Sequence, residues 1–382
     1  MKTRSAVGFL IMVFATIGSQ AQSNDAVRHV SGKTPVLGKG REMSAERPAE
    51  PSRQFEVERV SPNANPWKLQ ATLTGAVIHD ISFATPQVGY AAAELGQIWK
   101  TTNGGANWTE IMNLNFPYYW YGIHAFDANN VVVSGFNDSN FEGIIRWSHD
   151  GGNTWTDDIA LTSAGWCFRV RFANTNDGLI IDGLNLDAAN AAHYTKDGGA
   201  SATDWTEDVP DASGGWFGNE FSLLTNSHAR ASGITYCTSP DAGVTWRCGP
   251  SVDSVFDGPV FFLNDTYGWV GGGEISPNLE GWVHVTTNGG KTWSGRTLDI
   301  GWPIREILFP SPKAGWAAGG NYSTNVGGMY FSRDGGNTWS LDVSTGAEMD
   351  ACDSKIVNGT NQVWCAGYNA AFNGVVYTLR LK

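Results

Sequence analysis

Short runs of alternating apolar and polar residues, separated by turns rich in Gly, Pro and Asn, fill the chain from residue 66 onward. One stretch shows the pattern clearly, with Ile307–Phe309, Gly315–Gly319 and Gly328–Phe331 following one another. Alternation with a period of two residues indicates β-strands buried on one face, and runs of this length indicate short strands joined by tight turns. No long stretch follows the period of an amphipathic helix. The pattern therefore predicts an all-β protein.

A turn motif, Ser/Thr-x-Asp/Asn-x-Gly-x-Thr/Asn-Trp, recurs six times in this region, and its third copy is longer than the others. The copies end at Trp108, Trp155, Trp205, Trp246, Trp293 and Trp339. Successive tryptophans are 41 to 50 residues apart, which is about the length of a four-stranded antiparallel blade. Repetition at this period is typical of a β-propeller.

The C-terminal region adds three expected strands, at 353–357, 362–367 and 375–379, with no motif after them. The N-terminal segment Trp67–Thr72 could supply a fourth strand, and this closure would pair sheet edges that are otherwise exposed. We therefore predict a seven-bladed β-propeller of four-stranded blades over residues 66–382. Six blades with a C-terminal appendage is the alternative.

The beginning of the chain has a different character. A basic start at Met1–Arg4, an apolar run from Val7 to Ile17 and the small-x-small sequence Ser19–Ala21 predict a secretory signal peptide over residues 1–21. The apolar run is shorter than the ~20 residues that a helix needs to span a bilayer. We therefore expect a secreted protein, extracellular or periplasmic, without membrane insertion. An uncleaved anchor is the alternative.

Residues 22–65 are polar, contain proline and have no period. Such a segment buries too little apolar surface to offset the entropy of ordering it, so it is predicted to be a disordered leader or linker. A removable pro-segment is a second interpretation, with the basic residues Lys39 and Arg41 as candidate processing points.

The five cysteines fit an oxidising compartment. Cys237 and Cys248 flank a turn between neighbouring predicted strands, and Cys352 and Cys365 bracket a second strand pair. We predict two local disulfides, with Cys167 left unpaired. Reduced, buried cysteines are the alternative.

The charge balance narrows the range of partners. The formal net charge is −12 and only 16% of the residues are charged. This balance argues against nucleic acid, which requires clustered Lys and Arg, and against an anionic membrane surface. Each turn motif offers at most one carboxylate, too few for a Ca²⁺ site, and the chain has no GxSxG, HExxH, Walker or CxxC sequence. We expect no metal and no cofactor.

The repeated motif resembles the Asp-box, or BNR, superfamily of β-propellers. This superfamily includes sialidases, sortilin-type receptors, xyloglucanases and photosystem II stability/assembly factor-like proteins. The pattern Phe-x5-Gly-Trp-x2-Gly, seen in Phe309–Gly319 and Phe262–Gly272, is most similar to the photosystem-assembly-like repeats. The resemblance implies that the motifs lie on the periphery, away from any active site. The chain departs from the sialidases because it has neither their Arg-Ile-Pro sequence nor an obvious arginine triad.

The chemistry of the motif favours a structural role. An Asp or Asn in a tight turn accepts hydrogen bonds from backbone N–H groups that have left the ladder. The neighbouring Gly adopts backbone conformations closed to other residues, and the Trp contributes a large apolar surface between adjacent sheets.

Candidate functional residues fall in the connectors between blades. In a propeller these connectors meet around the central channel, on the face opposite the motif turns. The connectors here are rich in aromatic residues, and the inner strands begin with ionisable ones. The ionisable residues are His79, Asp80, His124, Arg169, Arg171, Asp257, Arg305, Glu306 and Asp353. We predict a ligand site formed by Tyr119, Trp120, Trp166, Arg169, Trp216, Trp302, Arg305 and Glu306. Packing between blades is the alternative role for the rings, and ordinary solvated loops are the alternative for the charges.

The resemblance implies a non-enzymatic secreted binding or assembly protein, and we expect a monomer that binds a protein or glycan ligand at the central-channel face. A glycan-active enzyme, either a polysaccharide lyase or a glycosidase, is the alternative, because one fold can host both functions. Such an enzyme would need two ionisable groups within hydrogen-bond reach of a common point. The sequence assigns no catalytic residue.

Overall fold

The computed structural model describes residues 67–162, 165–183, 191–208, 220–233, 235–250, 252, 257–273, 280–298, 302–321, 324, 326–357 and 360–380. The predicted signal peptide, the predicted leader and Trp216 lie outside these residues. Within them, almost all regular structure is β-strand, with one short 3-10 helix at Ala202–Asp204. No helix in these ranges is both long and apolar enough to span a membrane.

The strands in chain order are β1 (Lys68–Leu73), β2 (Ile78–Phe83), β3 (Gly89–Ala93), β4 (Gln97–Thr101), β5 (Thr109–Asn113), β6 (Tyr118–Ala125), β7 (Val131–Asn137), β8 (Glu142–Ser148), β9 (Ile159–Thr162), β10 (Trp166–Phe172), β11 (Gly178–Gly183), β12 (Ala192–Thr195), β13 (Thr206–Asp208), β14 (Glu220–Leu223), β15 (Ala229–Ser232), β16 (Thr235–Ser239), β17 (Arg247–Pro250), β18 (Asp257–Phe262), β19 (Gly268–Gly273), β20 (Gly281–Thr286), β21 (Ser294–Leu298), β22 (Ile304–Leu308), β23 (Gly315–Asn321), β24 (Val326–Ser332), β25 (Ser340–Ser344), β26 (Glu348–Val357), β27 (Thr360–Tyr368) and β28 (Gly374–Arg380).

These strands form seven four-stranded antiparallel sheets, so the predicted seven-bladed propeller is confirmed. Blades 1 to 6 are β2–β5, β6–β9, β10–β13, β14–β17, β18–β21 and β22–β25, each built from consecutive strands with the first strand innermost. Blade 7 takes β26, β27 and β28 from the C-terminus and β1 from the N-terminal side. In that pairing Lys68 lies opposite Thr378 and Leu73 opposite Gly374. The closing strand therefore joins the two ends of the ring.

Apolar cores lie between successive blades because each sheet buries both of its faces against neighbours. Trp364 of blade 7 stacks on Phe83 of blade 1 with ring centroids 3.8 Å apart. At the boundary between blades 5 and 6, Trp269 stacks on Phe309 at 3.7 Å. Stacked rings of this size bury a large apolar area, and the repeated arrangement holds adjacent blades in register.

The motif turns make the hydrogen bonds that their chemistry predicts. In blade 2, Asp150 Oδ1 accepts from the backbone N–H of Thr154 at 2.8 Å, and Ser148 Oγ accepts from Gly152 N at 2.7 Å. Gly151 and Gly152 have φ values of +74° and +90°, a left-handed region that favours glycine. The turn therefore satisfies its own backbone donors without help from a ligand.

Both predicted disulfides are present. Cys237 is bonded to Cys248 across β16 and β17, and Cys352 is bonded to Cys365 across β26 and β27. Cys167 is free and buried, as predicted.

Candidate functional site

A β-bulge near the start of the inner strands shapes the mouth of the central channel. In five of these strands one extra residue stands between two paired positions: His79 in β2, Tyr121 in β6, Phe168 in β10, Arg305 in β22 and Asp350 in β26. A bulge re-aims the side chain of the extra residue. These five residues define what we call the channel mouth.

The bulged residues of adjacent blades contact one another. The rings of His79 and Tyr121 are 4.9 Å apart, and those of Tyr121 and Phe168 are 5.4 Å apart. His79 Nδ1 lies 3.9 Å from Asp350 Oδ2. The shared bulge therefore brings one side chain from each of blades 7, 1, 2 and 3 to a common opening.

Aromatic rings continue outward from this opening. The centroids of Tyr121 and Trp166 are 6.2 Å apart, those of Trp166 and Phe136 are 5.4 Å apart, and those of Phe136 and Phe141 are 6.2 Å apart. Tyr119 stacks on Tyr121 at 6.4 Å. The Tyr368 ring lies 6.1 Å from the His79 ring. We call this set of rings the aromatic tract; its members are Tyr119, Tyr121, Trp166, Phe136, Phe141, His79, Phe168 and Tyr368. The tract runs without interruption from blade 7 to the exposed Phe141, which is 64% exposed.

Carboxylates border the tract at the channel mouth. His79 Nε2 lies 3.3 Å from Glu94 Oε1, and Arg305 Nε lies 3.0 Å from Glu348 Oε1. Burial lowers the pKa of His79, but the carboxylates of Glu94, Asp350 and Glu348 outweigh burial and raise it overall. Burial, together with the charge of Glu348, raises the pKa of Asp350 to about 7. The mouth therefore carries more carboxyl groups than cations to neutralise them.

A second ionic layer lies deeper in the channel. Arg169 contacts two carboxylates, with Nε 2.7 Å from Glu220 Oε2 and Nη1 2.9 Å from Glu306 Oε2. Arg171 donates to both oxygens of Asp80 at 2.8 and 3.0 Å. These five side chains connect blades 1, 3, 4 and 6 across the axis of the ring.

The electrostatics of this layer follow from how the charges are shared. Burial would raise the pKa of Asp80, but the guanidinium groups of Arg171 and Arg169 keep it below its usual value. Burial raises the pKa of Glu220 to about 7, because Arg169 is shared with the nearby carboxylate of Glu306. Burial also raises the pKa of Glu306, although Arg169 and Arg171 oppose this effect. The layer therefore joins the inner strands through charges that are shared between blades.

The structure distributes the sequence-predicted residues over three environments. Tyr119 and Trp166 are half-buried in the aromatic tract, and Arg305 is at the channel mouth. Arg169 and Glu306 are in the deeper ionic layer.

Two predicted ring positions differ from the others. Trp120 has no exposed surface and packs between blades 1 and 2, and Trp302 is 7% exposed and packs between blades 5 and 6. For these two side chains the structure favours the packing interpretation. Trp216 lies outside the described residues.

Sequence reasoning did not include Tyr121, Phe168, Glu94 and Asp350 in the ligand site. A signal for the bulge was nevertheless present, because the extra residues of blades 2, 3, 6 and 7 lie 11 to 13 residues after a motif tryptophan. Glu94 has no such signal, since it reaches the mouth from the turn between β3 and β4.

Comparisons with known proteins agree with this architecture. The photosystem II assembly lipoprotein Ycf48 of Synechococcus sp. (strain CC9902) is 24% identical over 302 residues, which is 73% of this chain and 79% of that protein. A solved structure of YCF48 bound to D1 peptide superimposes with a TM-score of 0.61 at 19% identity, covering 83% of this chain and 97% of that chain. YCF48 from Cyanidioschyzon merolae gives 0.58 at 20% identity, covering 82% and 98%.

No protein-family model matches the chain. The two superpositions show the fold alone, and the sequence relative is named as a photosystem II assembly lipoprotein. The chain is therefore a seven-bladed β-propeller that is most similar to the photosystem II assembly factor-like repeat proteins.

Proposed function

We propose that this chain is a non-enzymatic binding protein that holds an extended segment of a partner protein across its channel mouth. The observation that carries the proposal is the aromatic tract, which crosses four blades on one face and ends beside half-buried carboxyl groups. Aromatic side chains are enriched at the centres of protein interfaces, where they provide a large contact area at a low cost in conformational entropy.

The relatives support the same kind of function. One is named as an assembly lipoprotein, and one solved structure is described as bound to a peptide. A propeller that binds an extended peptide needs an elongated surface rather than a closed pocket. The aromatic tract provides such a surface in this chain.

Exposed apolar residues around the mouth add to the argument. Leu95, Phe141 and Phe372 are 41%, 64% and 39% exposed, and Phe116 is 57% exposed. The first three lie in turns between second and third strands, and Phe116 lies in the connector between β5 and β6, so all four occupy the channel-mouth face.

The backbone at three of these positions is in an unfavourable conformation. Leu95, Phe141 and Phe372 have φ values of 57°, 56° and 56°. A bulky residue in the left-handed region costs about 1–3 kcal/mol, and such conformations cluster at functional sites. Apolar side chains that stay exposed despite this cost in backbone free energy indicate a surface that a partner protein covers.

The chemistry of the segment follows from the mouth. Flat rings bind apolar or aromatic side chains, and the carboxyl groups of Glu94 and Asp350 favour a Lys or Arg. We therefore expect the bound segment to combine aromatic or proline residues with at least one basic residue.

We also propose that the protein acts outside the cytoplasm as a monomer, after removal of residues 1–21, with residues 22–65 as its leader. The two disulfides support an oxidising compartment. The intact mass of the exported protein should correspond to cleavage after Ala21, and light scattering should give the mass of one chain. A mass that includes residues 1–21 would contradict export by cleavage.

The binding proposal can be tested with a displayed library of random peptides selected on the whole protein. Selected peptides should bind Trp166→Ala at least tenfold more weakly than the wild type, because this ring is the centre of the tract. Leu341→Ala is the matched control, since Leu341 is 51% exposed on the outer strand of blade 6. This control should bind normally.

Trp302→Ala separates binding from packing. Because its ring is buried between blades, this variant should lose about 3–5 kcal/mol of folding free energy without a specific loss of affinity in the folded fraction. Selected peptides that bind Trp166→Ala as tightly as the wild type would refute the proposed site.

A further inference from the structure

A cavity of about 950 Å³ lies between blades 4 and 5 on the motif-turn face, opposite the channel mouth. One wall comes from β16, β17 and the motif turn of blade 4, and the other from the blade 5 motif turn, Gly289–Trp293. The volume falls at the upper end of the ~300–1,000 Å³ range of small-molecule sites. The cavity is separate from the proposed protein-binding surface.

This boundary differs from four of the six other boundaries in its hydrogen bonding. At four other boundaries a side chain of one blade donates to a motif glycine carbonyl of the next blade. These pairs are Trp364 Nε1 to Gly104 O (2.9 Å), Lys100 Nζ to Gly151 O (2.6 Å), Trp147 Nε1 to Gly199 O (3.0 Å) and Trp269 Nε1 to Gly335 O (2.9 Å). Between blades 4 and 5, Tyr236 lies against Gly290, but its hydroxyl makes no well-aligned hydrogen bond among the described residues.

Two buried polar atoms in the cavity wall make no well-aligned hydrogen bond among the described residues, although their two side chains lie next to each other. They are the Tyr236 hydroxyl and Arg230 Nε, on side chains of residues that are both 8% exposed. A buried polar group without a hydrogen bond costs roughly 1–3 kcal/mol. Burial raises the pKa of Tyr236, so its hydroxyl stays protonated and can donate near neutral pH. Hydrogen-bond donors that lack a well-aligned acceptor at a cavity wall indicate a ligand that accepts hydrogen bonds.

The cavity is positively charged although the whole chain has a net charge of −12. Arg230, Arg247 and Lys291 line it, and no carboxylate occurs among the described lining residues. The nearest ionic partner is Asp265, which lies 3.5 Å from Arg230 Nη2 and also pairs with His228. A second carboxylate, Asp241, accepts hydrogen bonds from the lining residues Ser239 and Thr245. Three cations against these two carboxylates leave a positive charge that favours an anionic ligand.

The remaining lining adds a ring face and hydroxyl groups. Trp293 is half-buried, and edge-on contacts with Tyr236 at 5.3 Å and Phe262 at 6.1 Å fix the orientation of its ring. Thr238 and Thr292 also line the cavity. A flat ring with hydroxyls around it suits a sugar, whose apolar face stacks and whose hydroxyls exchange hydrogen bonds.

We propose that the cavity between blades 4 and 5 is a binding site for an acidic saccharide, a sugar that carries carboxylate or sulfate groups. The anionic group pairs with Lys291 and Arg247 at the open side. The sugar ring packs on Trp293, and a ring hydroxyl or carboxylate accepts from Tyr236 and Arg230.

Calorimetric titration of the full-length secreted protein tests the site with five probes: a galacturonate trisaccharide, a sulfated chondroitin disaccharide, a neutral galactose trisaccharide, inorganic sulfate and a tetra-aspartate peptide. At least one acidic saccharide should bind, and the relative affinities of the first two probes identify carboxylate or sulfate as the group recognised. The neutral saccharide, inorganic sulfate and the peptide should bind at least tenfold more weakly. Equal binding of any of these three, or no binding of either acidic saccharide, would overturn the proposal.

Two variants place the binding in this cavity. Lys291→Ala should weaken the acidic saccharide about tenfold, whereas Lys313→Ala, an exposed lysine before β23, should not change it. Tyr236→Phe keeps the ring and removes only the hydroxyl, so it should fold normally and yet bind more weakly. Unchanged affinity in both Lys291→Ala and Tyr236→Phe would move the site elsewhere and refute the assignment.

Discussion

The two faces of the ring are built by the same seven blades, but different features are repeated on each. On the motif-turn face both backbone and side chains repeat: the N–H groups of Thr154, Thr245 and Thr338 each donate to the motif aspartate of their own blade at 2.8 Å. At the channel mouth only the backbone repeats, because the bulge holds a different residue in each of the five blades that have it. Where both the backbone and the side chains repeat from blade to blade, the residues maintain the fold. Where the backbone repeats but the side chains differ, the side chains are free to recognise a partner.

The carboxylates of the two faces show the same division. Hydrogen bonds from the Thr154 side chain and backbone lower the pKa of the exposed Asp150 to about 2. In the channel, burial raises the pKa values of Asp350 and Glu220 to about 7, because several carboxyl groups share few cations. The motif carboxylates are satisfied locally, while those in the channel depend on residues from other blades.

The largest expected effect comes from opening the ring on which both faces depend. Deletion of residues 22–73 removes β1 and the nearly fully buried Trp67 and Leu73. Loss of a large buried side chain costs ~3–5 kcal/mol, so the whole deletion should cost more than about 5 kcal/mol. Chemical denaturation should show the loss, and deletion of residues 22–60 alone should leave the unfolding midpoint unchanged. Equal midpoints for both deletions would mean that the closing strand adds nothing to the ring.

The next effect tests whether the channel depends on contacts between blades. Arg169→Met removes a buried cation and leaves the half-buried Glu220 and Glu306 without their shared partner. Removing one partner of a buried ionic group costs ~3–5 kcal/mol, and urea denaturation measures this directly. Lys196→Met is the control, because its side chain is 42% exposed and its ammonium lies 3.4 Å from Asp177. Exposed ion pairs contribute at most ~1 kcal/mol. Similar small losses in both variants would remove the distinction between the two kinds of charge.

Much of the architecture could be predicted from the sequence, because six motif copies at blade spacing specify local turns and short strands. The closing strand was also predicted, since a three-stranded remnant at one end needs a fourth strand from the other. The site was harder to predict. Within Tyr119–Tyr121 the strand alternation sends Trp120 into the core, while Tyr121 leaves the ladder at a bulge. His79 and Asp350 come together only because the propeller closes between segments that are far apart in the sequence. No local sequence pattern predicts such a contact.

A smaller effect is expected from a motif turn. Asp334→Ala removes the acceptor of the Thr338 N–H and hydroxyl, at 2.8 and 2.7 Å, and should cost roughly 1–3 kcal/mol. Peptide binding at the channel mouth, measured well below the melting temperature, should not change. Asp157→Ala is the control, because Asp157 is exposed and has no hydrogen bond within the described part of the chain. Loss of peptide binding in folded Asp334→Ala would show that the two faces are not independent.

The smallest effect is a pH dependence that arises only in the channel. A carboxyl group with a pKa of about 7 in the folded protein and about 4 when unfolded loses stabilising free energy as the pH rises between these values. The raised pKa of His79 acts in the same direction, because its protonated form is stabilised by Glu94, Asp350 and Glu348 and is lost as the pH rises through that pKa. The melting temperature should therefore fall by a few degrees between pH 6 and pH 8.

Asp350→Asn should reduce this fall, because the amide does not titrate, although Arg305, Arg169 and the remaining carboxyl groups still surround it. Asp127→Asn is the control on the motif-turn side. Hydrogen bonds from Asn130 lower the pKa of Asp127, so its contribution is lost only below about pH 4 and the slope between pH 6 and pH 8 should match the wild type. Differential scanning calorimetry at matched ionic strength measures all three slopes. A wild-type melting temperature that rises over this range, or equal slopes in the two variants, would mean that the channel carboxyl groups are paired as completely as those of the motif turns.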